Sequence, residues 1–366
     1  MTIRSLRERL AEELSDQASR DIASSIFSTA NLDHISTLVE RYCHQQFQRP
    51  IVACSLVYFS VGATFVVFLA NQPNENPRQV VIKAYNQDES IDSLQAIAHV
   101  QTNLANAQFP CPQVLVQPTR MEETLFTTQS FHDPGDRIDP FSPSVNAAMA
   151  KTLAQLMQHT KAWTHDTSGS MPEHLPVWME INTPSLWHTP HNVLFDFVKT
   201  AAGAEWIDDI ARQTKPILQE STGPRMLGHS DWSLQNMSFC DGQLTCVYDW
   251  DSLRVGLEPW FVGGAARYYA HDWRYGPPKR AIALDEVRGF IRLYEEARGQ
   301  PFSSEEQRSL GAALVYTAAY GVRCMHAISP ATLYDLAVNA SGPRPSEPLH
   351  VRNAKRQLLQ FADAFL

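Results

Sequence analysis

Nowhere in the 366-residue chain do about eighteen apolar residues run together, so no segment reads as a membrane span. A secretory leader is missing too: MTIRSLRERLAEELSDQ is charged and amphipathic, without the apolar stretch such a signal needs. These absences give a cytoplasmic expectation. Cysteine is scarce. The six present (Cys43, Cys54, Cys111, Cys240, Cys246 and Cys324) include no C-x-x-C pair, which argues against structural zinc and for unbonded thiols in a reducing compartment. Cys240 and Cys246, either side of DGQLT, are the pair that a hairpin would bring face to face. There is no long basic tract, and the formal net charge is −9, so nucleic acid is disfavoured as the main partner. Internal repeats and low-complexity segments are lacking as well.

What remains is an ordinary globular composition. At 44% hydrophobic residues the chain can fill two cores, and its texture changes along its length. Residues 2–48 carry Leu6, Leu10, Leu14 and then Ile22, Ile26 at helical spacing, with a capping break at STANLDHIS. After Pro50 come IVACSLVYF, ATFVVFLA and RQVVIKAY, three β-branched and aromatic runs separated by SVG and NQPNENP. They predict an antiparallel meander. A helix over SIDSLQAIAHVQTNLANAQ and two more strands, QVLVQPT and ETLFTTQSF, complete a β-rich lobe. The turn-rich HDPGDRIDPFSPS marks the boundary. Beyond Val145 the pattern is mostly helical, including NAAMAKTLAQLMQHTKAW, PHNVLFDFVKTAAGAEWIDDIARQT, LDEVRGFIRLYEEAR and EEQRSLGAALVYTAAYGVRCMHAI. The expected organisation is α+β: an N-terminal helical extension (1–48), a small antiparallel sheet lobe (49–135) and a larger helical lobe (136–366).

The chemistry concentrates in MLGHSDWSLQNMSF, which supports two readings. Gly228-His229-Ser230 opens like a hydrolase nucleophile elbow, with Ser230 attacking. That turn needs a small residue two positions later and a helix directly after it. Trp232 stands there instead, and NMSFCDGQLTCVYDW reads as strand, turn, strand. Phosphoryl transfer asks for different parts: an aspartate at the acceptor hydroxyl, an asparagine and a second aspartate on Mg²⁺, and a lysine on the phosphates. Asp231 followed five positions later by Asn236 has the spacing of a kinase catalytic loop; Asp249 closes the hairpin, and Lys83 lies within the third predicted strand. The order and separations favour the aspartate over the serine.

HSDWSLQN followed by VYDWDSL resembles the aminoglycoside phosphotransferase and choline kinase-like superfamily, and the likeness extends to VVIKAY, NAQFPCPQVL and AKTLAQLMQH, over roughly residues 50–330. The resemblance implies a bilobal protein-kinase-like fold that uses Mg²⁺ and ATP or GTP. It implies Asp231 as catalytic base or orienting residue, Asn236 and Asp249 as Mg²⁺ ligands and Lys83 on the α/β-phosphates. It further places the phosphate-covering turn at Gly62 and the nucleotide base against residues 126–131, with Thr128 and Ser130 as binding positions. Ser230 stands where the family usually has glycine. His229 is expected to brace the loop, Asp251 to bind a second metal or cap a helix, Glu258 to support the site, and His188 and His191 to line an acceptor pocket. The favoured expectation is a kinase of a small-molecule hydroxyl, such as an aminoglycoside-like antibiotic, amino alcohol or sugar. The alternatives are a degenerate kinase-like nucleotide-binding module, suggested by the single glycine in FSVGATF, and more distantly a serine hydrolase through Ser230.

Overall fold

Ser5, Asp16 and Asn31 each accept a backbone N–H three residues on, and so start three short helices: α1 (Leu6–Glu13), α2 (Gln17–Phe27) and α3 (Leu32–Phe47). The computed structural model describes residues 4–70, 78–86, 88–165, 174–276, 278, 280–328 and 348–366, with side chains of 162–165 excepted. The five strands that follow are β1 (Ile51–Phe59), β2 (Ala63–Leu69), β3 (Arg78–Tyr85), β4 (Val114–Met121) and β5 (Thr124–Ser130), with α4 (Ile91–Asn106) between β3 and β4. They form one sheet in the order β1-β2-β3-β5-β4, and every neighbouring pair is antiparallel. The predicted meander is therefore present; the NQPNENP turn lies outside the described residues.

Side chains alternate across the sheet, and the two faces differ. Val80, Ile82 and Ala84 join Phe65, Val67 and Phe126 in a buried cluster with Leu6, Leu10, Ile22, Ile26, Ile35 and Leu38 of the N-terminal helices. Phe27 of α2 meets Phe59 and Phe65 edge-on, with ring centroids 6.4 and 6.3 Å apart. The helices thus form a layer on this sheet; each buried Leu, Ile or Phe contributes roughly 1.5–3 kcal/mol. Arg4 extends the protection by exchanging two backbone hydrogen bonds with Cys54 on edge strand β1 (3.2 and 2.7 Å). Lys83 lies on the opposite face, paired between Thr64 and Thr127. β3 is the middle strand, so Lys83 lies inside the sheet and not at its edge.

The chain divides into two compact units, residues 1–133 with 191–194, and residues 134–190 with 195–366. The second contains α5 (Pro143–His165), α6 (Glu205–Glu220), α7 (Glu258–Tyr268), α8 (Leu284–Arg298), α9 (Ser304–Ala327) and α10 (Leu349–Phe365). Two small antiparallel pairs interrupt the helices: β6 (Arg225–His229) with β9 (Leu253–Leu257), and β7 (Met237–Cys240) with β8 (Gln243–Val247). Helix α9 is buried almost all round from Ser309 to Tyr320, and α6, α7 and α10 pack on it. Gly263 makes the α7–α9 approach possible, since a Cβ there would lie 2.4 Å from the Leu310 carbonyl oxygen.

One expected helix is shorter than predicted. Residues 190–204 are turns, and α6 begins only at Glu205. The side chains of Asn192 and Asp196 take up the N–H groups of Leu194, Val198 and Lys199, offering the backbone an alternative to helical bonding. The hairpin does not bring Cys240 opposite Cys246: Cys240 faces Gln243 and Cys246 faces Ser238, and none of the six cysteines is in a disulfide. Among the described residues no helix is long and apolar enough to cross a membrane.

Candidate active site

Strand β6 ends at His229, whose imidazole is buried and committed on both sides. Nδ1 accepts from the Asp231 backbone N–H at 3.2 Å, so Nε2 carries the proton and donates to the Tyr248 carbonyl at 2.9 Å. Trp232 and Trp250 close around the ring edge-on, at 5.9 and 5.8 Å. One histidine therefore fixes the loop after β6 to the residue before Asp249. Gly228 just upstream is required by packing, because a Cβ would fall 2.5 Å from the Phe261 ring.

Ser230 turns away from nucleophile geometry. Its backbone N–H and its hydroxyl both donate to the Ser252 carbonyl, each at 2.9 Å. With both His229 nitrogens occupied and a short 3-10 turn in place of a following helix, the serine lacks the base and the elbow a hydrolase needs.

Asp231 is held differently. Its carboxylate accepts from the Ser233 hydroxyl (3.3 Å), the Gln235 amide (3.3 Å) and the Asn236 amide (2.8 Å). Asn236 also donates to the Asp231 carbonyl at 2.9 Å and accepts the Tyr248 N–H at 2.8 Å, which links it to the hairpin. The Asp241-Gly242 turn supplies the positive φ values, 50° and 73°, of a tight hairpin, and the returning strand leads to Asp249. Asp249 itself sits in the left-handed region (φ 64°, ψ 47°), with its carboxylate accepting from the Ser252 hydroxyl at 3.0 Å. A non-glycine residue there stores strain of the sort common at functional positions.

Burial and then the Asp249 charge raise the Asp231 carboxyl above its ordinary value, against His229, the Asn236 hydrogen bond and Arg267, which lower it. Two carboxylates thus stand within each other's field. The Asn236 amide has its nitrogen spent on Asp231, which leaves Oδ1 as a neutral oxygen donor. Hard oxygen donors of this kind fit Mg²⁺.

The remaining predicted residues fall in several settings. Thr128 is fully buried on the helix-covered face of the small sheet, where its hydroxyl meets the Tyr42 hydroxyl at 2.9 Å, so its side chain is closed to a ligand. The Ser130 hydroxyl accepts from the Gln113 N–H at 2.9 Å and lies 3.1 Å from His132. Gly62 lets the β1–β2 turn approach β3, since a Cβ would lie 2.7 Å from the Ala84 carbonyl oxygen. Glu258 accepts from the Tyr294 hydroxyl at 2.5 Å and pairs with Arg298 at 3.0 Å, joining α7 to α8. Asp251 is in the turn after Asp249, and its carbonyl accepts from Arg254. His188 lies 4.3 Å from the Tyr320 ring in the helical unit, whereas His191 is grouped with the β-rich unit, next to Asn192, which donates to the Ser60 carbonyl.

Three residues of this neighbourhood, Ser233, Gln235 and Arg267, carried no sequence signal. Ser233 and Gln235 lie between Asp231 and Asn236, Arg267 comes from the last turn of α7, and His271 follows that helix. Their roles depend on α7 folding back against the loop, where the Leu234 and Gln235 N–H groups donate to the carbonyls of Tyr269 (2.9 Å) and His271 (3.1 Å).

Residues 55–259 match the family described as the phosphotransferase enzyme family. The fold is similar to that of a microcompartment-associated aminopropanol kinase, with a TM-score of 0.54 at 14% identity, covering 89% of this chain and 94% of that one. It is also similar to a thermostable mutant of aminoglycoside phosphotransferase APH(4)-Ia in its apo form (TM-score 0.52, 16% identity, 89% and 98% covered). A ternary complex of that phosphotransferase with ADP and hygromycin B gives 0.51 at 14% identity, with 89% and 97% covered. At such identities the likeness establishes the kinase-like fold. No curated protein matches the chain by sequence.

Proposed function

The chain belongs to the phosphotransferase enzyme family, and on that premise we propose that it transfers the γ-phosphoryl group of ATP or GTP to a hydroxyl of a small molecule. The observation that carries this reading is the Asp231 carboxylate, anchored by Ser233, Gln235 and Asn236 beside the charge of Asp249. Shared fold with an aminopropanol kinase and with an enzyme captured with ADP and hygromycin B supports a nucleotide donor and a hydroxylated acceptor.

In this reading Asp231 accepts the hydrogen bond of the acceptor hydroxyl and holds its oxygen in line with the γ-phosphorus. As the new O–P bond forms, the bond from phosphorus to the bridging oxygen breaks and its electron pair leaves with the nucleoside diphosphate. The hydroxyl proton passes to Asp231, whose raised proton affinity suits it to that task. Asn236 Oδ1 and the Asp249 carboxylate would hold Mg²⁺, which when bound neutralises phosphate charge. Lys83 would contact the α/β-phosphates, the turn at Gly62 would cover them, and backbone groups near Thr128 and Ser130 would hold the base.

The test is transfer of labelled phosphate from ATP and GTP across a library of small hydroxyl compounds. Asp231→Ala is expected to reduce transfer by about 10²–10⁴-fold, the usual worth of a general base, while Mg²⁺-nucleotide binding persists. Full turnover by Asp231→Ala on an identified acceptor would sink the assignment. Nucleotide binding without transfer to any acceptor would instead identify a degenerate binding module.

A further inference from the structure

The carbonyls of Leu234 and Met237 bracket Asn236, and one guanidinium holds both. Arg274 donates from Nη2 to the Leu234 carbonyl at 3.0 Å and from Nη1 to the Met237 carbonyl at 3.1 Å. The Leu234 oxygen already accepts the Met237 N–H that closes the 3-10 turn Leu234–Asn236. Arg274 therefore takes its second lone pair. Asn236 ends that turn; its N–H donates to the Ser233 carbonyl at 3.0 Å and its carbonyl accepts the Tyr248 N–H at 2.8 Å. With the carbonyls before and after it tied as well, the backbone around Asn236 is fixed, and with it the direction of its amide.

Arg274 is aimed in turn. Asp272 grips the guanidinium two to two, with Nε on Oδ1 and Nη2 on Oδ2, both at 2.8 Å. Asp272 Oδ1 also accepts the Arg274 N–H at 3.2 Å, which caps the short turn Trp273–Tyr275. Trp273 anchors that turn to the end of α7, its indole N–H donating to the Tyr268 hydroxyl at 3.0 Å. A lysine ammonium could not replace this fork, because a single nitrogen cannot span a carboxylate and two separate carbonyls. The sign of the charge matters too. Arg274 is a cation bonded to the residue after Asn236, so by charge alone it would repel a metal ion held there. Its benefit to the site comes from geometry.

We propose that Arg274, oriented by Asp272, is a positioning residue for Asn236 and sets how tightly the site holds its divalent ion. The inference rests on the phosphotransferase reading, in which Asn236 Oδ1 is a Mg²⁺ ligand. It is tested by binding, without turnover. Mn²⁺ is titrated into protein with ADP, free Mn²⁺ is read by electron paramagnetic resonance, and ADP binding is measured separately in EDTA. Arg274→Met is expected to weaken Mn²⁺ by about 10–100-fold, the usual cost of losing a group that orients a metal ligand. ADP binding in EDTA should not change. Arg274→Lys keeps the charge and should lose nearly as much. Asp272→Asn keeps an acceptor for the Arg274 N–H and should weaken Mn²⁺ by less. The Arg274 side chain is 31% exposed, so added methylguanidinium should enter the gap in Arg274→Ala and restore part of the Mn²⁺ affinity. Mn²⁺ affinity that is unchanged or tighter in a folded Arg274→Met variant, with folding checked by circular dichroism, would overturn the inference. So would an equal loss of ADP binding in EDTA, since the guanidinium would then be scaffold for the whole site. If Arg274→Met does not fold, Asp272→Asn decides, and unchanged Mn²⁺ affinity in it overturns the inference. Wild-type protein that binds no Mn²⁺ with ADP would bring down the metal assignment itself, and this inference with it.

Discussion

At the scale of single residues, the choice between Ser230 and Asp231 comes down to what each side chain touches. Ser230→Ala removes one hydrogen bond to the Ser252 carbonyl, a loss of about 0.5–1.5 kcal/mol in stability, and transfer activity is expected to survive. A urea titration beside an activity assay checks both halves. Asp249→Asn separates charge from geometry, because asparagine tolerates the left-handed backbone at that position and still offers Ser252 an acceptor. Its melting temperature should match or exceed the parent's while Mg²⁺-dependent nucleotide binding is lost, and calorimetry with Mg²⁺-ATP measures the second effect. His271 gives a pH signature. Burial first, and the Arg267 charge second, depress its pKa from 6.5 to about 3. The unfolded chain therefore takes up this proton first on acidification. The group's contribution is complete above pH 6.5 and is lost as pH falls towards 3, at up to about 1.4 kcal/mol per pH unit. His271→Asn should flatten that part of the stability–pH curve; an unchanged slope between pH 6.5 and 4.5 would contradict the assignment. Spacing alone singled out Asp231, Asn236 and Asp249, and the structure joins the first two by a hydrogen bond at 2.8 Å. Arg267 was not singled out, since nothing in GGAARYYAHDW announces which loop its helix end will meet.

At the scale of elements, periodicity identified most strands and helices, but two adjacent glycines in α7 show what periodicity leaves out. Gly263 faces the α9 backbone, whereas at Gly264 the nearest atom to a Cβ would be a Thr317 methyl at 3.9 Å. Gly263→Ala is expected to destabilise by about 1–3 kcal/mol through overpacking against atoms that cannot move aside. Gly264→Ala should be neutral or stabilise by up to about 1 kcal/mol, since alanine favours the helix. Paired chemical denaturation curves test the contrast. Residues 190–204 illustrate the opposite error. Their apolar spacing suggested a helix, but asparagine and aspartate side chains compete for the backbone, and apolar counting assigns those residues no such role.

For the whole molecule, sequence pattern indicated a β-rich part followed by a helical part, and it exposed the apolar stripes of the first three helices without saying what they cover. The structure answers that they cover one face of the five-stranded sheet, so α1–α3 belong to that unit's core. Removal of residues 1–48 is accordingly expected to leave an insoluble or unfolded protein; a soluble fragment with a cooperative melt would refute that view. Which surface an amphipathic helix occupies is a long-range matter, and the stripe alone is the same for a sheet, a partner or a second copy.

The stretch matched by the family ends at residue 259, only two residues into α7, and it starts at residue 55, inside β1. Similarity limits and folding limits are therefore different things in this chain. A fragment trimmed to the matched stretch would discard the first three helices, half a strand, the guanidinium at the end of α7 and the whole of α9. It would keep the stretches that hold Asp231, Asn236 and Asp249 and lose much of the scaffold packed around them.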